Sequence, residues 1–300
     1  MRSFKIKEKY INKDIAYVIK KEFPHLNSSS LNKVFRVKDV KVNDIRVTKD
    51  YIVKLNDEVK VYLNDNILFG ITDKIYYAYE DENIIIAYKP KGIISTLGNE
   101  KRIPNAIYFD ELVKNDKGNA IICHRLDTNT EGLVIFAKNE EAHKTILEGF
   151  KNNNIHKEYF TLVSGKLKKN QDFLSHYITN DDGYAKIVNK KTHNSKECIT
   201  EYKVIQHLKN HNATILNVTL HTGRTHQIRA HMKYIGNPVV GDSKYGSNEI
   251  NDKFKLYSQV LYAAKYTFTF DKTCPLHYLN AITIDIKDIV LDKIYKLLNY

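Results

Sequence analysis

Cysteine is scarce in this chain. Cys123, Cys198 and Cys274 are the only three in 300 residues. None lies in a CxxC pair, so no zinc framework is written here, and a sparse, odd set fits a reducing compartment, expected to be the cytoplasm. No apolar run approaches the ~18 residues that a membrane-spanning helix needs. The first residues, MRSFKIKEKYINKD, lack the apolar core of a signal peptide. GxGxxG and GxxxxGK[ST] are both missing, so no nucleotide cradle is visible, and no GxSxG elbow is present. His221, His226 and His231 recur every fifth residue, whereas helical metal pairs prefer i, i+4. The run Asp127-Thr128-Asn129-Thr130-Glu131 does not match the DxDxT of aspartyl phosphatases. What remains is a site without cofactor or metal, built on one carboxylate, arginines and a tyrosine.

Charge is what the chain has in excess. Its formal net charge is +12 and its pI about 9.2. Residues 1–70 hold 15 Lys and Arg against 9 Asp and Glu, half of that excess in the first quarter of the chain. A basic protein of this kind points to a polyanionic partner. The 42% hydrophobic fraction is that of an ordinary globular protein, long enough for one large domain and a small one.

Periodicity sketches the elements. Ile11, Ile15, Val18, Ile19 and Phe23 follow helical spacing. SSSLNKVFRV predicts a second helix, and VKVNDIRV a hairpin turning at Asn43-Asp44. LNDEVKVYL adds a turn and a strand. This helix–helix–hairpin module carries Lys33, Arg36, Lys38 and Lys41 around its second helix and hairpin; the bland reading of such charges is a solvated face. Residues 67–80 read as a linker. Beyond it, Ile84 to Ala87 predicts a buried strand that breaks at Lys89-Pro90 and Gly92, and NEEAHKTILEGFKN a helix capped by Asn139. KEYFTLVSG and HNATILNVTLHTG read as strands, and THQIRAHMKYIGNP as a helix with Thr225 as cap and Gly236 as stop. Strands that alternate irregularly with helices predict an α+β fold.

Two polar constellations stand out. CHRLDTNTEGLVIFAKN places His124, Arg125 and Asp127 just before an apolar strand. Taken alone, Asp127 is either a turn carboxylate paired with Arg125 or a reactive group. LHTGRTHQIRAHMKYIGNPVVGDSKYG packs Arg224, His226, Gln227 and Arg229 into a loop and the start of a helix, a ready place for phosphate. Together they suggest one cleft with Asp127 opposite an arginine.

These same residues resemble a known family. HRLDTNTEGLVIFAKN is similar to HRLDxxTSGLLLxAK of the Rlu-type RNA pseudouridine synthases of the large ribosomal subunit. YKPKGIIS resembles their KPxG segment, IHKEYFTLVSG their KxYxAxVxG strand, and GRTHQIRAHMKYIGNPVVGDSKYG matches their last motif almost throughout. SSSLNKVFRVKDVKVN and LNDEVKVYL resemble the S4-type RNA-binding module often fused to these enzymes. The resemblance implies an S4-type α/β domain over 1–66 and a catalytic domain over 81–300 with a central mixed, largely antiparallel sheet flanked by helices. It implies isomerisation of uridine to pseudouridine, in large-subunit ribosomal RNA or else in transfer RNA, a reaction that needs no cofactor; a monomer is the default expectation.

By the same resemblance Asp127 is the catalytic carboxylate, Tyr159 packs on the target base and acts in proton transfer, and Arg229 pairs with Asp127. Arg125 takes the place of the flipped base or holds RNA. His124, Arg224, His226 and Gln227 are expected to bind RNA beside Lys33, Arg36, Lys38 and Lys41. Flipping is needed because the target base lies within stacked RNA. Three departures bear on the site: Thr128 replaces a common arginine, Glu131 a Ser or Thr, and Tyr262 a histidine. Glu131 would add negative charge near RNA or point outward. A non-catalytic RNA-binding or ribosome-assembly factor is the rival reading, carried by the basic N-terminal part.

Overall fold

The computed structural model describes residues 2–23, 26, 28–36, 38–62, 75–97, 108–181 and 183–298. The chain forms two compact units: Met1–Ile75 with Gly92–Leu112, and Tyr76–Lys91 with Val113–Tyr300. Among the described residues no helix is long and apolar enough to cross a membrane.

In the first unit, Asp14 caps helix α1 (Ile15–Glu22), its side chain accepting the Tyr17 amide at 2.6 Å. The cap starts the helix four residues later than periodicity alone suggests and leaves Ile11 exposed. Helix α2 spans Ser28–Arg36, as expected. A four-stranded antiparallel sheet runs in the order β1 (Arg2–Lys5), β4 (Glu58–Val61), β2 (Val40–Val42), β3 (Ile45–Arg46). Asn43 and Asp44 both have positive φ, 50° and 66°, the geometry of a two-residue hairpin turn. Val40, Val42, Val59 and Val61 alternate inward and pack with Ile15, Val18, Ile19 and Val34 into one core. Strand β1 is not legible from its own four residues; pairing with β4 makes it.

The second unit is built on one sheet. Its strands are β5 (Tyr77–Glu80), β6 (Ile84–Lys89), β7 (Ile121–Ile122), β8 (Glu131–Ala137), β9 (Ile155–Ser164), β10 (Gln171–Asp181), β11 (Tyr184–Val188), β12 (Lys196–Leu208), β13 (Ala213–Leu220), β14 (Leu261–Phe268) and β15 (Ile284–Asp285). The order is β11-β10-β12-β13-β9-β14-β8-β6-β5, with β15 on β14 and β7 on β8. Among the described strands of this sheet only β14 and β8 pair in parallel, so the sheet is mixed and largely antiparallel as expected. Strand β5 occupies the last residues of the expected 67–80 linker, and 67–74 lie outside the described residues. The remaining helices are α3 (Phe109–Lys117), α4 (Glu140–Lys151), α5 (Gln227–Tyr234), α6 (Asn248–Phe254) and α7 (Lys287–Leu297). Asn139 caps α4 by accepting the Ala142 amide at 2.8 Å.

Two details place the polar residues. Gly132 opens β8 at φ 119°, where an added Cβ would stand 2.1 Å from the Ala263 carbonyl of β14; only glycine allows this close parallel crossing. Helix α5 begins after His226, itself at φ 56°, so His226 and not Thr225 holds the cap position, with no side-chain cap bond. Gly236 ends it at φ 86°, with the Asn237 amide donating back to the Met232 carbonyl.

Candidate active site

The loop between β7 and β8 carries Asp127. A turn closes behind it, the Thr130 amide donating to the Asp127 carbonyl at 3.0 Å. From α5, Arg229 reaches this loop: its Nη1 donates to Asp127 Oδ2 at 2.8 Å. Its other face is held by the fully buried Asp242, with Nε to Oδ2 at 2.6 Å and Nη2 to Oδ1 at 2.9 Å. A bidentate pair of this kind fixes the plane of the guanidinium. Asp242 also accepts the amides of Lys244 and Tyr245 at 2.9 and 3.0 Å. Burial alone would raise its carboxyl, but Arg229 and these amides hold it below the ordinary value. Arg229 is buried too, which opposes its charge, yet the two aspartates raise its pKa further.

His226 and Tyr245 close one side. His226 Nδ1 is 3.0 Å from the Tyr245 hydroxyl, and Nε2 is 3.8 Å from Asp127 Oδ2. Burial lowers the His226 pKa, with Asp127 opposing. The Tyr245 ring lies beneath the Arg229 guanidinium at 5.0 Å. On β9, Tyr159 is buried, and both burial and the charge of Asp127 raise its hydroxyl, so it is a protonated phenol at neutral pH. The structure thus brings Asp127, Tyr159, Arg229 and His226 together.

Not every expected RNA contact faces outward. His124 turns into the fold. Its Nε2 accepts the Ile135 amide at 3.1 Å and lies 2.8 Å from the Tyr266 hydroxyl, and burial lowers its pKa to about 3. Gln227 is also turned inward. Its Oε1 accepts from Thr222 and the Arg224 amide, and its Nε2 donates to the Ile199 carbonyl and Thr200. Both are polar residues that a motif reads as ligand contacts but that the fold uses to close buried backbone groups. Arg125 and Arg224 are exposed, Arg224 donating to the Glu197 carbonyl at 3.0 Å. In the first unit Arg36 and Lys38 are exposed, and Lys41 lies 5.3 Å from the Tyr62 ring centroid. The Lys33 side chain lies outside the described residues.

Two residues escaped the sequence reading of the site. Asp242 sits in the quoted GDSKYG run, but nothing there says that it reaches back to α5. Lys89 is fully buried, its ammonium donating to the carbonyls of Pro90 and Thr128 at 3.0 Å each, so it ties β6 to the Asp127 loop. Burial lowers its pKa to about 7, with Glu131 and Asp127 opposing. Glu131, placed in β8 just beyond that loop, does not point outward: its side chain is only 13% exposed. Its Oε2 accepts from Tyr88 at 2.9 Å and from Lys293 of α7 at 3.0 Å. Tyr262 pairs with Glu131 across the β14–β8 crossing, and the Lys293 ammonium stands 6.0 Å from its ring. Residues 131 and 262 therefore share one local environment around Lys293.

Known proteins resemble this chain along most of its length. A profile of the RNA pseudouridylate synthase family matches residues 83–234. Ribosomal large subunit pseudouridine synthase C of Rickettsia felis is 33% identical over 252 residues, covering 77% of this chain and 81% of the relative. An uncharacterized RNA pseudouridine synthase of Mycoplasma capricolum is 32% identical, covering 93% of this chain and 95% of its own. Ribosomal large subunit pseudouridine synthase D of Buchnera aphidicola is 31% identical, covering 79% and 77%. Among solved structures, human RNA pseudouridylate synthase domain containing 1 shares the fold, with TM-score 0.57 and 21% identity over 73% of this chain and 94% of that one.

Proposed function

We propose, from the premise that this chain belongs to the RNA pseudouridylate synthase family, that it converts uridine to pseudouridine in large-subunit ribosomal RNA with Asp127 as the catalytic carboxylate. One observation carries the assignment of the site: a carboxylate that is part exposed is aimed by an arginine which a second, buried carboxylate holds in place. That is the arrangement of a working group, positioned by its neighbours and open on one side.

The chemistry follows from the reaction. The N1–C1′ bond of uridine breaks, the uracil turns, and a C5–C1′ bond forms. The proton on C5 leaves and one returns to N1, so the atoms balance and no redox step occurs. Breaking the first bond builds positive charge at C1′, as in glycoside hydrolysis. Asp127 beneath the sugar can stabilise that charge, attack C1′ or take a sugar proton, and all three use the same geometry. Tyr159 offers the flipped uracil an aromatic face and a neutral hydroxyl for proton transfer. Arg125 and Arg224, both exposed, supply charge for phosphates. The N-terminal helix–helix–hairpin module over 1–66 is assigned an S4-type RNA-binding role, supported by exposed Arg36 and Lys38.

Mapping pseudouridines in ribosomal and transfer RNA from cells with and without the gene tests this. We expect a ribosomal uridine to lose its modification, wild type to restore it and Asp127→Ala to fail. A site lost from transfer RNA instead would reassign the substrate. Restoration by Asp127→Ala would refute the catalytic assignment, and no lost site at all would favour a non-catalytic RNA-binding factor.

A further inference from the structure

Strand β9 carries Tyr159 and, two residues earlier, Lys157. Side chains alternate along a strand, so these two share a face, roughly 6–7 Å apart along it. The Lys157 ammonium lies 4.6 Å from the centroid of the Phe150 ring of α4. On its other side is Gly223, where an added Cβ would stand 3.5 Å from Nζ. The amine is thus placed between α4 and the loop that carries Arg224 and His226. Its nearest acid in sequence is engaged elsewhere: Glu158 pairs with Lys265 at 2.9 Å and accepts from Asn217 at 2.7 Å. Among the described residues no carboxylate or carbonyl accepts a bond from Lys157. The neighbouring His124 is held neutral inside the fold and adds no negative charge. Burial lowers the Lys157 pKa to about 8, so most of its charge persists at neutral pH.

A half-buried ammonium with no counter-ion is costly, and its contact with the Phe150 ring offsets only part of that cost. An anion from outside would complete the site, and RNA brings one phosphate with each nucleotide. We propose that Lys157 binds a backbone phosphate of the RNA, next to the nucleotide whose base enters beside Tyr159. The inference rests on the proposed placement of the base, and it adds a phosphate-binding residue to the same cleft.

Binding isolates the contact from catalysis. The full chain carrying Asp127→Asn, alone or with Lys157→Met or Lys157→Arg, is titrated with a transcript of large-subunit ribosomal RNA from 50 to 200 mM salt. One lost phosphate contact lowers the log–log salt slope by about 0.7–0.9. Lys157→Met should therefore lose roughly threefold less affinity over that range than its parent, and bind more weakly at 50 mM. Lys157→Arg should keep both affinity and slope. Thermal unfolding should show Lys157→Met at least as stable as its parent. Unchanged affinity and slope in Lys157→Met would overturn the proposal. So would a Lys157→Arg protein that is as stable as its parent yet binds as poorly as Lys157→Met. A wild-type enzyme that binds this RNA but modifies none of it would refute the functional reading alone, because the slope is read without turnover.

Discussion

Arg229 gives Asp127 one hydrogen bond and Asp242 two. Asp242 therefore decides where the arginine points, and the arginine decides where the carboxylate of Asp127 points. The carboxylate proposed to react is thus set by a residue that need not touch the substrate.

Asp242→Asn tests that chain of command. The amide keeps the shape but can no longer accept two charged bonds. On the folded enzyme kcat should fall on the order of a hundredfold, the cost of an ångström-scale misplacement, while KM for RNA changes little. Stability measured by urea unfolding should fall by about 3 kcal/mol, because a buried guanidinium loses its main partner. A parallel rise in KM with kcat unchanged would show that Asp242 serves RNA binding and not the aim of Asp127.

Glu131 and Lys293 supply a second test. Their contact lies at 3.0 Å, but Lys293 is 40% exposed, so water screens the pair. Glu131→Ala should cost about 1–2 kcal/mol, mostly through the lost bond from Tyr88. A double-mutant cycle with Lys293→Met should give a coupling of roughly 0.5–1 kcal/mol. The uridine that is modified should stay the same, since the side chain is turned into the fold. Modification of a different uridine by Glu131→Ala would show instead that Glu131 reads the RNA.

The buried histidines predict an acid limit. His231 bonds Thr200 at 2.7 Å and lies 3.5 Å from Cys198 Sγ, and burial lowers its pKa to about 4. An unfolded histidine titrates near ~6.5. The unfolded chain then binds the extra proton first as pH falls. The contribution of His231 is complete above about pH 6.5 and is lost toward pH 4, at roughly 1.4 kcal/mol per pH unit. His124, lowered to about 3, acts in the same direction. The stability difference between wild type and His231→Gln, from urea curves at pH 7 to 4.5, should shrink as pH falls with that slope. A difference independent of pH would mean that His231 titrates alike in the native and unfolded states.

Much of this was legible in the sequence. The resemblance to ordered family motifs singled out Asp127, Tyr159 and Arg229, and the fold places Arg229 on Asp127 and Tyr159 within the field of its charge. Local rules placed the Asn43-Asp44 turn, the Asn139 cap and the Gly236 stop, since each depends on backbone angles or one nearby amide. The N-terminal cap was misplaced at Thr225 for the same kind of reason in reverse: the chain bends at His226 to meet the Tyr245 hydroxyl, a contact 19 residues away.

What the sequence alone determined, then, is that Asp127, Tyr159 and Arg229 stand in ordered motifs along the chain. It left open whether Asp127 pairs with Arg125 two residues away or with an arginine far along the chain. The tertiary structure chose Arg229, 102 residues on, because helix α5 delivers it with its plane already fixed by Asp242. It likewise turned His124 and Gln227 inward and gave Glu131 a partner 162 residues away on α7. A motif specifies side-chain types and spacing along one segment. Which way a polar side chain faces depends on which buried donors and acceptors lie opposite it, and those come from segments that only the folded sheet brings near.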